Sequence, residues 1–303
     1  MVKVSVIIPT YGMPIFLEKA VNSVLNQTMQ DWEMFVVDDN NPDTEAREKT
    51  EELMEQFSCD NRIYYLQHPH NCNGAVARNT GIAKATGEYI SFLDSDDEYM
   101  LDRFEKCCAV MDHSDKKIGW VYTGCEFRKS GKTFNVITNI ESGNFLVKSL
   151  ACKFTFCTGS NLFVRKQIVD ELGGFDERFL RHQDFEFAVR FFKKYDVVAI
   201  KEPLVIKNNE NFNVPNVYKM KDIKKLYLDK FDAVIKSLPD EQQKYIYHSH
   251  NLQLAEYAMR IKDYKTAKYY YSEAAKNCRL TLKERARKLG FYMKNLIGKQ
   301  GEK

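Results

Sequence analysis

The stretch Gly87-Glu88-Tyr89-Ile90-Ser91-Phe92-Leu93-Asp94-Ser95-Asp96-Asp97 decides the architecture. Tyr89 to Leu93 is a short apolar run of strand length, and it stops at a cluster of small polar and acidic residues. Such a run reads as a buried strand that carries a polar tip. The stretches before it have the same shape. Val2 to Ile8 ends in Pro9-Thr10-Tyr11-Gly12. Trp32 to Val37 ends in Asp38-Asp39-Asn40-Asn41-Pro42-Asp43. Arg62 to Gln67 ends in His68-Pro69-His70-Asn71-Cys72-Asn73-Gly74. Between them lie helical patterns: Ile15, Phe16, Ala20, Val21, Val24 and Leu25 at three- and four-residue spacing, a polar helix over 44–57, and Ala75 to Ala85 stopped at Thr86-Gly87. This alternation predicts an α/β fold, a mostly parallel central sheet with helices on both faces. Ligands of such sheets sit beyond the carboxyl ends of the strands. Here those ends bring Thr10-Tyr11, Asp38-Asp39 and Asp94-Ser95-Asp96 to one edge.

The middle third, 118–207, is mixed, with strands at Gly119–Tyr122 and Val197–Ile200 and helices at Gln167–Leu172 and Asp184–Lys194. From Val217 onward the pattern is helical, and Leu252 to Asn277 reads as a helix, a break near Lys262-Asp263-Tyr264, and a second helix. The expected division is a catalytic domain over 1–215 and a basic helical C-terminal extension over 216–303. Charge follows the same division: 25 Lys and Arg against 32 Asp and Glu in the first part, 20 against 10 in the second, for a net +3 over 303 residues. A basic extension on an acidic body calls for an anionic partner. The helix expected over Leu282–Ile297 has Leu282, Ala286, Leu289, Met293 and Leu296 on one face amid Lys and Arg. That pattern suits a helix resting on an anionic membrane and equally one packed on its own domain.

No segment approaches the roughly 20 apolar residues of a membrane span, and Met1 to Pro9 does not read as a signal peptide. The eight cysteines form no Cys-x-x-Cys pair. Reduced thiols and a cytoplasmic location, on the inner face of the membrane if the basic helices bind it, are the expectation. Composition, at 44% hydrophobic and 29% charged, excludes large-scale disorder.

Asp94-Ser95-Asp96 at a strand end is suited to a hard divalent cation bridging phosphate oxygens. Asp39, ending another strand, can accept from the N3–H of a uracil ring, and Asp38 can hold the loop. Arg78 can pair with a diphosphate or lie in solvent on its helix. Asp184 can act as a general base or cap its helix, and Glu186 competes for the first role. His68, His70 and Cys72 fit no common zinc spacing and read as loop residues. Pro9 to Pro14 lacks the Gly-x-Gly-x-x-Gly of a dinucleotide-binding oxidoreductase.

Taken together, Val4–Tyr11, Ser23–Thr28, Val36–Asp39, Ala77–Gly81, Gly87–Asp97 and Gly174–Glu177 resemble the family 2 inverting glycosyltransferases with the A-type fold, over about residues 1–200. The resemblance implies Mn²⁺ or Mg²⁺ held by Asp96 and Asp94. Pro9, Tyr11, Asp39, Arg78, Asp94 and Ser95 would line the nucleotide-sugar site, with Asp39 on uracil and Arg78 near the diphosphate. Asp184 would be the base that deprotonates the acceptor. Implied partners are a nucleotide-sugar donor, a saccharide or lipid-linked saccharide acceptor and a membrane surface; no nucleic acid is expected. Gly12, Asn41 and Gln183 depart from the usual Asn, Ser and Glu. The Gln-x-x-Arg-Trp signature of polymerising relatives is absent, which implies addition of a single sugar. A binding protein without turnover would keep Asp39 and Asp96 and tolerate loss of Asp184.

Overall fold

A computed structural model describes residues 2–208, 216–286 and 289. The four apolar runs form β1 (Val4–Thr10), β2 (Trp32–Asp38), β3 (Ile63–Gln67) and β4 (Tyr89–Phe92). They lie parallel, in the order β3-β2-β1-β4. Every residue of β2 is buried, as expected of an inner parallel strand covered on both faces. Between them run α1 (Leu17–Leu25), α2 (Glu45–Glu55) and α3 (Gly74–Lys84).

Past β4 the sheet is mixed. It continues through β5 (Asp97–Tyr99), β6 (Ile118–Lys129), β7 (Lys132–Ile137), β8 (Phe163–Arg165) and β9 (Asp196–Asn208). The path runs β4-β8-β6-β9-β5, with β7 as a hairpin partner on β6. β8 is antiparallel to both β4 and β6, and β5 is antiparallel to β9. The remaining helices here are α4 (Arg103–Asp112), α5 (Leu146–Leu150), α6 (Lys166–Leu172) and α7 (Gln183–Phe192).

Side-chain alternation assigns the two faces. Val4, Val6 and Ile8 of β1 pack with Leu17, Val21 and Val24 of α1 and Phe104 and Met111 of α4. On the other face, Ile7 meets α3 so closely that a Cβ on Gly81 would lie 2.6 Å from its Cγ2. There too the Phe92 ring packs edge-on against Phe175, 5.1 Å between centroids. The buried Glu33 of β2 takes hydrogen bonds from Ser5 Oγ (2.6 Å) and Thr86 N (2.6 Å), tying β1, β2 and the turn before β4 together.

The chain divides into two compact units, Met1–Leu146 with Thr155–Phe212, and Val147–Phe154 with Asn213–Lys303. The second contains α8 (Val217–Lys236), α9 (Asp240–Arg260) and α10 (Tyr264–Asn277). Its core is Val217, Met220, Leu252, Ala255, Met259, Ala267 and Tyr271. The segment 147–154 belongs with these helices because they satisfy its backbone: Tyr227 Oη donates to Ser149 O (2.8 Å), and the His250 ring bonds Leu150 O through Nε2 (2.8 Å). Of the helix expected over Leu282–Ile297, the part at 287–288 and beyond Leu289 lies outside the described residues. No helix among the described residues is long and apolar enough to cross a membrane.

Candidate functional site

The carboxyl ends of β1, β2, β3 and β4 are laced together by backbone bonds. Asp39 N donates to Thr10 O (2.9 Å), His68 N to Asp38 O (2.9 Å) and Leu93 N to Ile7 O (3.0 Å). Two departures from the family pattern have local explanations. Gly12 sits at φ +83°, a left-handed conformation, and its N–H donates to Asn40 Oδ1 (2.7 Å). Asn41 Oδ1 accepts from Asn71 N (2.8 Å), which ties two loops across the edge.

Asp38 is fully buried and holds this edge in shape. It accepts from Asn40 N (2.9 Å) and Tyr65 Oη (2.6 Å) and pairs with Arg47 Nε (3.0 Å). Asp39, also buried, is saturated: Oδ1 accepts from His68 Nδ1 (2.7 Å) and Cys72 N (2.8 Å), and Oδ2 from Asn71 Nδ2 (2.8 Å) and Asn73 N (2.9 Å). Four donors are the ordinary capacity of a carboxylate. His68 is buried between Asp39 and Thr80 Oγ1 (2.9 Å). Asp39, His68 and Cys72 lie close enough to suggest a metal cluster. These hydrogen bonds, with Cys72 Sγ directed at His70 O (3.2 Å), account for the grouping instead. Sequence reasoning read His68 as a plain loop residue and passed over Arg47, whose guanidinium reaches Asp38, Asn40 and His68.

At the end of β4, Asp94 accepts from Arg78 Nη2 (2.7 Å), and its own N–H donates to Ser160 Oγ (2.9 Å). Burial raises its carboxyl, but Arg78 and Lys207 outweigh that and hold it below the usual range. Asp97 is fully buried. It accepts from Ser160 Oγ (2.6 Å), Thr158 Oγ1 (2.8 Å) and Lys207 Nζ (3.0 Å). Burial, opposed by Lys207 and assisted by Asp94 and Asp96, pushes it up to about 7. Asp96 is the open member: its side chain is 52% exposed, with Lys207 Nζ at 3.6 Å. Desolvation and the neighbouring Asp94 raise it despite Lys207. Carboxylate oxygens of all three lie within 4.8 Å of one another. Three hard oxygen donors so close, one facing solvent, fit a divalent cation such as Mn²⁺ or Mg²⁺. Lys207, at the end of β9, was missed from sequence; its place at the close of the apolar run Leu204-Val205-Ile206 was the available signal.

Arg78 also donates to Gln183 Oε1 (2.8 Å), while Gln183 Nε2 donates to Phe179 O (2.8 Å). The neutral amide therefore leaves Asp94 as the partner carboxylate of Arg78. Asp184 follows in the first turn of α7. The N-cap position belongs to His182, at φ +64°, so Asp184 is not the cap. Burial raises its carboxyl, opposed by the Phe185 N–H (2.9 Å) and Arg78. Glu186 turns away: it is fully buried and gripped by Arg190 Nε and Nη2, both at 2.6 Å.

Pro9, Tyr11, Asp39, Arg78, Asp94 and Asp96, with Ser95, line one hollow of about 550 Å³. A second of about 290 Å³ shares Gly74, Arg78 and Asp94 with it and is bordered by Asp184. The expected site residues thus line two adjoining hollows that have Gly74, Arg78 and Asp94 in common.

A parallel strand edge with an acid-rimmed cleft, beside a mixed half-sheet in which β6 and β9 run parallel, defines an α/β protein whose cleft lies where ligands of such sheets sit. Residues 5–173 match the family described as Glycosyl transferase family 2, and the chain belongs to that family. It is 37% identical over 122 residues to TuaG of Bacillus subtilis, a glycosyltransferase named for teichuronic acid biosynthesis, across 40% of this chain and 46% of that one. It therefore spans about half the length of that relative. Among solved structures, S. aureus TarS 1-349 in complex with UDP superposes with a TM-score of 0.57 at 16% identity, over 95% of this chain and 92% of that one. The mannosyltransferase PcManGT from Pyrobaculum calidifontis, in complex with GDP-Man and Mn2+, gives 0.56 at 18%, over 97% and 80%. These likenesses establish the A-type glycosyltransferase fold.

Proposed function

We propose that this glycosyltransferase moves a single sugar from a nucleoside diphosphate, a UDP-sugar by preference, onto an acceptor hydroxyl with inversion at the anomeric carbon. The observation that carries the reading is the pair of adjoining hollows: Asp39 and Asp96 line one and Asp184 the other, with Arg78 and Asp94 common to both. The relative named for teichuronic acid biosynthesis and the UDP complex of the structural neighbour support a polysaccharide-building role and a uridine donor.

Pro9 and the exposed Tyr11 pack against the base. A pyrimidine N3–H reaches Asp39 by taking the place of Asn71 Nδ2, a side-chain donor from a residue that borders the cleft. Arg78 faces the diphosphate. Asp96 and Asp94 hold Mn²⁺ or Mg²⁺, and a neighbour with Mn2+ supports that choice. Such a cation would stabilise charge on the departing diphosphate. Asp184 takes the proton of the acceptor hydroxyl as its oxygen bonds C1, and the bond from C1 to the diphosphate oxygen breaks on the opposite face. A saccharide or lipid-linked saccharide is the acceptor, met at the cytoplasmic membrane surface through the basic extension.

The test is UDP release from a panel of UDP-sugars with Mn²⁺, alongside the thermal shift produced by UDP and Mn²⁺. The expected result is turnover that falls roughly 100-fold or more in Asp96→Ala. A UDP-induced shift with no turnover against any donor would assign the chain a binding role instead. Neither shift nor turnover would remove the proposal.

A further inference from the structure

The helical unit has a hollow of its own, of about 540 Å³, between the first turns of α8 and α10. That volume lies within the range of about 300–1,000 Å³ common for ligand sites. Val217 and Tyr270, both buried, form its floor. Each wall pairs an aromatic with a cation: Tyr218 and Lys221 at i,i+3 on α8, Lys265 and Tyr269 at i,i+4 on α10, spacings that put both on one helix face. Tyr218 and Tyr269 are 57% and 59% exposed.

The rings are placed by design of the local structure. Asn216 caps α8 by accepting from Tyr218 N (2.8 Å), and Tyr218 Oη donates to Asp263 Oδ2 (2.9 Å). Asp263 caps α10 by accepting from Thr266 N (3.0 Å). The hollow's own carboxylate is therefore committed to its two walls. Three lysines elsewhere in the unit pair with a carboxylate on their own helix, Lys225–Asp229, Lys236–Asp232 and Lys276–Glu273. Among the described residues neither Lys221 nor Lys265 has an ion pair within 4 Å, and Asp263, whose carboxyl Lys265 helps to hold low, is the one carboxylate lining the hollow, so the lining carries two positive charges against one negative.

We infer that this hollow binds a stretch of anionic saccharide, the acceptor chain of the proposed transferase. A sugar ring has one apolar C–H face and a polar rim. An exposed tyrosine offers a flat apolar body with a hydroxyl tip, and a lysine pairs with a uronic carboxylate or a sugar phosphate. A membrane surface would call for a convex apolar stripe rather than a hydroxyl-rimmed hollow. The inference rests on the transferase reading for the ligand's identity but on none of the cleft residues.

The experiment uses the full chain and hexagalacturonate, with maltohexaose as neutral control and an oligothymidylate of equal charge as nucleic-acid control. Calorimetric titration should show hexagalacturonate binding, weakened about tenfold by Tyr269→Ser and again by Lys265→Glu, consistent with loss of roughly 1.4 kcal/mol each. Both positions are on an exposed wall, and an unchanged UDP and Mn²⁺ thermal shift in the variants reports intact folding and an intact donor site. Binding insensitive to both substitutions, or no binding of hexagalacturonate by a protein that still responds to UDP, overturns the inference. So does oligothymidylate binding as tight as the saccharide. A protein that binds hexagalacturonate through Tyr269 but ignores UDP would instead refute the donor reading alone.

Discussion

Asp184 and Glu186 are two residues apart on α7, yet only one borders the cleft. Glu186 is taken by Arg190, and the i,i+4 spacing of that pair was the signal in the sequence that separates the two. Asp184 keeps a carboxyl raised by burial, the direction that would suit the general base proposed for it. A raised carboxyl binds its proton more tightly folded than unfolded, so its contribution to stability is present at low pH and lost as pH rises through the folded value. At neutral pH the ionised form is a liability to the fold. Asp184→Asn should therefore cut turnover by roughly 10²–10⁴-fold while leaving the melting temperature equal to or above wild type. In wild type, kcat/KM should fall on the acid side at a pH above the ordinary aspartate range. A variant that loses activity together with stability would make Asp184 a structural residue.

At the scale of elements, α3 presses on β1 at Gly81. Alanine normally improves a helix interior by up to about 1 kcal/mol, but a Cβ here would sit 2.6 Å from Ile7 Cγ2 and 2.9 Å from its Cγ1. Overpacking of this kind costs about 1–3 kcal/mol, so Gly81→Ala should lower the melting temperature by roughly 2–10 °C. A neutral or stabilised variant would mean that Ile7 moves freely aside. In α8, Lys224 is buried against Gln253 Oε1 (2.6 Å) and His250 Nδ1 (3.2 Å). Burial lowers its pKa, so the unfolded chain binds the proton more tightly. Its contribution is then present above pH 10.5 and lost as pH falls through the folded value. Lys224→Met should raise stability at pH 7 and flatten its rise toward alkaline pH, as denaturant titrations at several pH values would show.

The first four strands were legible because each is an apolar run closed by polar turn residues. The elements after them were less so. β7 is an exposed hairpin arm with no buried face, β5 and β8 have three residues each, and α4 begins with Arg103, a polar residue that proves fully buried. Asp39 could be placed at the edge from its strand, but its donors come from 29 to 34 residues further on, a separation no local pattern encodes.

Over the whole molecule, charge is divided between an acidic stretch and a basic one, net +10 over residues 216–303. Attraction of that kind decays over about 10 Å at 0.1 M salt. The full chain should sediment with phosphatidylglycerol vesicles at low salt and be released by roughly 0.5 M NaCl, and neutral phosphatidylcholine vesicles should not retain it. Retention that ignores salt and lipid charge would point to apolar insertion instead.

The four-donor shell around Asp39 also bears on how the cleft can be re-engineered. Two of those donors are main-chain amides, at Cys72 and Asn73. Every amino acid but proline supplies such a group, so the loop tolerates a change of side chain at 72 while its path stays pinned to the buried anion. Proline at 72 or 73 would strip the anion of a partner and release the segment.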